Sequence, residues 1–169
     1  MQTFIKNFKE VSIGDIAEVG GKNASLGEMI NRLATKGIVI PQGFAVTASA
    51  YKHFISCNKL EGVHSKLLAG LDRKYFSNLK QIGLQARQLI LSAEMPEDLA
   101  EIIKIAYKDV FAGQQTEVAV RSSATAEDLP EANFAGQHES YLNIKGEAEL
   151  IRSVKRCFAS LYTLSLIHI

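Results

Sequence analysis

Apolar and polar positions alternate with clear helical or strand periods along most of this chain. Phe4, Ile5 and Phe8 predict a short strand over residues 3–8. Gly20-Gly21 then breaks the pattern. Beyond it, Leu26, Met29, Ile30, Leu33 and Ala34 recur at helical spacing, with Asn23, Ser25, Glu28, Asn31 and Arg32 between them. The spacing predicts an amphipathic helix over 22–36 with a glycine-rich entry, stopped at Gly37. Ile38-Val39-Ile40 and Phe44-Ala45-Val46 are β-prone runs split by the turn signal Pro41-Gln42-Gly43. Thr47 is placed to cap a helix carrying Tyr51, Phe54 and Ile55 on one face.

The second half continues in the same manner. Leu79, Ile82, Ala86, Leu89 and Ile90 mark another helix. Pro96 suits the first turn of the next, whose stripe is Leu99, Ile102, Ile103, Ala106, Tyr107 and Val110. Val118-Ala119-Val120 has the composition of a buried strand. Its alternation puts Val118, Val120 and Ser122 on one face and Ala119, Arg121 and Ser123 on the other. A loop rich in small residues follows, from Ser122 to Gly136. Tyr141 to Ile144 reads as a strand, and Leu150, Ile151, Val154, Phe158 and Leu161 as a last helix. Mixed strands and helices, with no internal repeat and no linker, indicate an α/β or α+β class.

Composition narrows the functional classes. Apolar residues make up 47% of the 169 positions and charged residues 22%, a globular profile. The net charge is +1 and the basic residues are scattered, so nothing favours nucleic acid. No run approaches the roughly 20 apolar residues a membrane span needs. Met1 to Val11 lacks a signal-peptide core, so a cytoplasmic location is expected. Cys57 and Cys157 have no metal-ligand spacing and are expected to be small buried hydrophobes. His53, His64, His138 and His168 form no cluster and are expected to be surface or packed residues.

Two segments can carry chemistry. In Val19-Gly20-Gly21-Lys22-Asn23, a glycine pair opening a helix lets the backbone approach a ligand. The helix N-terminus favours an anion there, and Lys22 adds a positive charge. It is not a Walker A loop, which needs Gly at Ile16 and Ser or Thr at Asn23. Gly-Gly-Lys alone equally describes a flexible turn before a surface lysine. The second segment runs from Val120 to Pro130. Arg121 at the exit of a buried strand is costly without an anion, and its planar fork suits phosphate oxygens. Ser122, Ser123 and Thr125 supply hydroxyls beside it. The competing account is structural: Thr125 with Asp128 resembles a capping box, and Arg121 can pair with Glu127 or Asp128. Phe134-Ala135-Gly136-Gln137 closes the loop, either as a lid or as an ordinary turn.

Taken in order, Val19 to Met29 (VGGKNASLGEM), Pro41 to Thr47 (PQGFAVT), Val120 to Pro130 (VRSSATAEDLP) and Phe134 to Gln137 (FAGQ) resemble the N-terminal domain of the phosphoenolpyruvate synthase (pyruvate, water dikinase) family. Pyruvate phosphate dikinase and rifampin phosphotransferase share weaker versions. The resemblance covers about Phe4 to Thr163. It implies the N-terminal part of an ATP-grasp-like nucleotide-binding domain over residues 1–163, a mixed sheet with packed helices, binding ATP and Mg²⁺. It implies transfer of a phosphoryl group to a histidine on a separate swivelling domain, then to pyruvate on a third, with AMP and phosphate as the other products. Lys22 matches the family lysine on the ATP phosphates and Arg121 the arginine near the transferred phosphates. Gly20, Gly21, Ser122 and Ser123 would line the site. The Ala132–Gln137 stretch matches the loop folding over it, with Ala135, Gly136 and Gln137 as its site residues.

The departures bear on how much of that activity to expect. His138 stands where the family usually has Gln. After Leu161-Tyr162-Thr163 the family continues differently, so residues 164–169 are expected to be a non-native tail. The metal-binding acids, the phosphohistidine and the pyruvate domain would lie in parts this chain lacks, and pyruvate would be reached only through them. The family is expected to be homodimeric. The alternatives are the ATP module of a rifampin-type phosphotransferase, or a non-catalytic nucleotide-binding fragment.

Overall fold

The computed structural model describes residues 3–123 and 139–162. Within them the α+β expectation is met, with the strands in two separate antiparallel ribbons. The first ribbon pairs β1 (Ile5–Asn7) with β2 (Phe44–Val46), Ile5 opposite Val46. The second pairs β3 (Val118–Arg121) with β4 (Ser140–Ile144), Arg121 opposite Ser140 and a register irregularity between Val118 and Val120. Seven α-helices are described: α1 (Ile16–Val19), α2 (Gly21–Leu33), α3 (Ala48–Cys57), α4 (Glu61–Ala69), α5 (Leu79–Ser92), α6 (Glu97–Val110) and α7 (Glu147–Ser160).

Local chemistry explains the element ends. Gly37 adopts the left-handed conformation just past the 3-10 turn that prolongs α2, as its position suggested. Thr47 caps α3 by accepting from the Ala50 N–H at 3.3 Å, while its own hydroxyl donates to the Thr3 carbonyl at 2.7 Å. Thr47 thereby ties α3 to the ribbon of β1 and β2. Pro96 is the N-cap residue of α6 instead of a first-turn residue, with an extended ψ of 137°.

The main core gathers the predicted stripes of α3, α5, α6 and α7. Phe54, Ile90, Leu99 and Ile103 have no exposure, and Phe158 closes over Phe54 with ring centroids 5.4 Å apart. A smaller cluster of Val11, Val19, Ala24 and Ala45 sits under α2. There Gly27 lets the helix lie directly on the Val11 backbone, where a Cβ would come 2.3 Å from the carbonyl oxygen. Asn31 adds a bond to the same carbonyl at 3.2 Å. These contacts fix α2, and with it the helix entrance, to the 3-10 turn at Phe8–Glu10.

Three expectations need correction, and one helix had gone unannounced. Ile38-Val39-Ile40 is not a strand: Gly37 and Pro41 bracket it, no ribbon edge receives it, and Val39 is 94% exposed. The strand Val118–Arg121 is not buried. It is covered on one face only, so Val118 and Val120 are half-buried while Ala119 and Arg121 are exposed. Helix α4 gave no sequence signal because none of its residues is buried. Cys57 is not a buried hydrophobe but an exposed residue ending α3, whereas Cys157 is partly buried.

Candidate functional site

Helix α1 ends and α2 begins at Gly20, whose φ of +80° and ψ of 161° lie in a region essentially reserved for glycine. This single residue turns the chain so that the first turn of α2 faces the end of β3. A Cβ on Gly20 would lie 2.3 Å from the Ser123 Oγ and 2.6 Å from the Ser123 carbonyl oxygen. The Asn23 N–H in the first turn of α2 donates to the Ser123 Oγ at 3.4 Å, and the Asn23 side chain donates to the Val19 carbonyl at 2.8 Å. Two segments 100 residues apart are therefore in direct backbone contact.

That contact brings the expected site residues into one neighbourhood. Lys22 is two residues beyond Gly20 and Arg121 two before Ser123, and two residues of extended chain span at most about 7 Å. Both cations are exposed. Arg121 makes no ion pair with the described residues, so its placement follows from strand alternation and not from a burial penalty. Ser122 is buried, and its Oγ has no hydrogen-bond partner among the described residues. A buried hydroxyl without a partner is costly. Its N–H extends the ribbon by donating to the Glu139 carbonyl at 3.4 Å. The first-turn N–H groups of a helix have no partner within it and carry partial positive charge. The arrangement suits a polyanion: helix entrance, two cations, small hydroxyls and a glycine that leaves room. Ala135, Gly136, Gln137 and the Thr125–Asp128 capping alternative lie outside the described residues, as do His138, His168 and residues 164–169.

Sequence reasoning missed the far side of this end of the ribbon. Glu139, directly before β4, accepts from the Arg87 guanidinium of α5 at 2.8 Å and from the Tyr141 hydroxyl. Arg156 of α7 stands over the Tyr141 ring, 5.6 Å from its centroid. Partial burial alone would raise the Glu139 carboxyl, but the Tyr141 and Arg87 hydrogen bonds outweigh it and hold the group below its ordinary value. On the neighbouring Cys157 thiol, burial first and the Glu139 carboxylate second act the other way, and it is pushed up to about 12. Arg87 and Glu139 are 52 residues apart, so no local pattern could announce the pair.

Other features carry different chemistry. No group of three or more His, Cys, Asp or Glu fit to hold a metal ion occurs among the described residues. A groove of about 760 Å³ between α4 and α5 is lined by Val63, Leu67, Leu89 and Leu91 with Gln85, Gln88 and Ser92. With no cation on its walls, it does not suit a phosphate. His53 stacks on Phe4 and pairs with Asp98 at 2.9 Å, and His64 packs edge-on against Tyr162. No described helix is long and apolar enough to cross a membrane.

Comparison with known proteins gives this geometry a family. Residues 16–168 match the pyruvate phosphate dikinase, AMP/ATP-binding domain family. The chain belongs to that family. Among relatives of the pyruvate phosphate dikinase nucleotide-binding domain, it is 48% identical to phosphoenolpyruvate synthase of Aquifex aeolicus over 157 residues, 91% of this chain and 18% of that protein. It is 48% identical to phosphoenolpyruvate synthase of Synechocystis over 163 residues, 92% of this chain and 20% of that protein. Probable phosphoenolpyruvate synthase of Methanocaldococcus jannaschii is 47% identical, over 95% of this chain and 13% of that protein. The chain thus spans about a fifth or less of these relatives. The match includes both the glycine-entered helix and the strand ending at Arg121.

Proposed function

We propose that this chain forms the phosphate-holding part of the ATP site of a phosphoenolpyruvate synthase, which uses ATP and water to convert pyruvate to phosphoenolpyruvate, AMP and phosphate. The observation that carries the reading is the contact of Gly20 and Asn23 with Ser123, which sets the Lys22 and Arg121 segments side by side. Family membership supports the nucleotide. In this reading the Gly20-Gly21 entrance and the α2 dipole receive phosphate oxygens. Lys22 neutralises their charge as a mobile ammonium, and Arg121 grips them with a planar fork. The Ser122 and Ser123 hydroxyls complete the donor set. Ala135, Gly136 and Gln137 would close over the phosphates.

None of these groups transfers a proton. Their work is positioning and charge stabilisation, the main demands of phosphoryl transfer. Mg²⁺ would arrive with the nucleotide and neutralise oxygens that the two cations do not reach. In this reading its protein ligands lie in a further part of the longer enzyme. The phosphoryl acceptor and the pyruvate site are assigned there too. The reading carries with it a cytoplasmic, homodimeric enzyme.

Titration of the isotopically labelled 169-residue chain with Mg·ATP, followed by amide NMR shifts, tests this directly and detects weak binding. Shifts are expected at Gly20 to Asn23 and at Ser122 and Ser123. Lys22→Ala and Arg121→Ala should each weaken binding roughly 10- to 100-fold, the value of a charge-assisted hydrogen bond. Shifts mapping instead to the α4–α5 groove, or unchanged affinity in both variants, would refute the assignment.

A further inference from the structure

We propose that Glu139, held by Arg87 and Tyr141, is a positioning residue for the nucleotide site. It locks the site end of the β3–β4 ribbon to helix α5 and so sets Ser122 and Ser123 against the entrance of α2. This rests on the function proposed above, since it names what holds that site in shape.

Among the described residues the ribbon has two strands, and a two-stranded ribbon is marginal without further packing. Its ladder is irregular between Val118 and Val120, so regular pairing alone does not fix the register of its site end. That end must nevertheless be placed accurately. Ser123 touches Gly20 through backbone atoms with no room for a methyl group, and Asn23 reaches it at the limit of a hydrogen bond. The backbone tie is the Ser122 N–H on the Glu139 carbonyl, also long at 3.4 Å.

The Glu139 side chain supplies what the ladder lacks. One carboxylate oxygen takes the Arg87 guanidinium from the middle of α5, and the other takes the Tyr141 hydroxyl from its own strand. Arg87 and Glu139 side chains are each about a third exposed, at 31% and 32%, so the pair is partly shielded from solvent. Helix α5 is anchored in the main core through Ile90, and Ala86, next to Arg87, is fully buried. The connection therefore runs from a rigid helix, through one ion pair, to the residue backbone-bonded to Ser122. Glu139 also offsets Arg87 and Arg156 beside the strand from which Arg121 emerges.

The test uses the 169-residue chain, first without ligand. Glu139→Gln keeps the shape and removes the charge. It should move the amide shifts of Ser122, Ser123 and Gly20 to Asn23, far beyond its own neighbours in sequence. Mg·ATP affinity should fall about three- to tenfold, as for partners in one network, and the double exchange Arg87→Glu with Glu139→Arg should return it to within about twofold. Tyr141→Phe, which removes the second arm alone, should give a smaller change of the same pattern and serves if Glu139→Gln does not fold. Shift changes confined to residues 87 and 139–141, or no recovery in the exchange, would overturn the proposal. The two readings fail separately. A chain that binds no ATP sinks the proposed function but not the ligand-free coupling. A chain that binds ATP and ignores Glu139→Gln sinks only the positioning role.

Discussion

Gly20 and Gly146 share one backbone conformation, with φ of +80° and +82°, and each precedes a helix. Their surroundings differ. A Cβ at Gly20 meets Ser123, while one at Gly146 meets nothing within 4 Å. Alanine at either position carries the backbone strain, roughly 1–3 kcal/mol. Only at position 20 does a steric clash add to it. Urea unfolding should therefore show Gly20→Ala as the more destabilised variant, and equal losses would mean that the Gly20–Ser123 contact does not exist in solution. The cysteines offer a second comparison. Cys57 is exposed, whereas burial and Glu139 push the Cys157 thiol up to about 12. At pH 8, iodoacetamide should label Cys57 well before Cys157, read by peptide mass spectrometry. The glycine pair was visible in the sequence as a break, but its partner was not, because Ser123 lies in a distant segment, 100 residues beyond Asn23. Cys57 was misjudged because helical spacing shows a face and not whether anything covers it.

At the scale of elements, the first ribbon is fastened to the α1 region by Lys6. Its ammonium bonds Asp15 at 2.7 Å and Glu18 at 2.8 Å. The Lys6 hydrogen bond is the largest cause holding the Asp15 carboxyl at about 2 instead of 3.8, with the Ser12 N–H and hydroxyl contributing. A carboxyl whose folded value is depressed stabilises the fold above its unfolded value. That contribution is complete above about pH 4 and disappears as the pH falls toward 2. For a partly exposed pair it amounts to roughly 1–2 kcal/mol. Asp15→Asn should be less stable than the parent by about that amount at pH 6, and the two should converge near pH 2 in urea melts. A constant gap across that range would remove the ion pair from the account. The helices α3, α5, α6 and α7 were legible because each buries part of its expected stripe, whereas α2 lies where expected but buries Gly21, Ala24, Gly27 and Ile30 and leaves Met29 exposed. Helix α4 was not legible, since its apolar residues line an open groove and no stripe is enforced. Ile38-Val39-Ile40 failed in the opposite sense: β propensity without a strand to pair with does not make a strand.

At the scale of the whole molecule, the proposed phosphate site depends on docking α2 and the β3–β4 ribbon, which belong to different parts of the fold. Helix α2 rests on the small cluster around Val11, while the ribbon rests on α7 and the main core. In the longer enzyme proposed here, Lys22→Ala and Arg121→Ala should each cost about 2–4 kcal/mol of transition-state stabilisation. Turnover assays would read this as a fall in kcat of roughly 30- to 10³-fold. Turnover near that of the parent in either variant would reject the site.

Local spacing and turn chemistry were enough to read the helix periods, the glycine-entered α2, the capped α3 and the strand that delivers Arg121. The order of its motifs also carried the family. That Gly20 meets Ser123, that Arg121 is exposed and that Glu139 joins α5 to the ribbon came from long-range packing. The two contacts join segments far apart in the chain, 52 residues for Arg87 and Glu139 and 100 for Asn23 and Ser123, and all three features are set by how two clusters of apolar side chains pack, which no local period records.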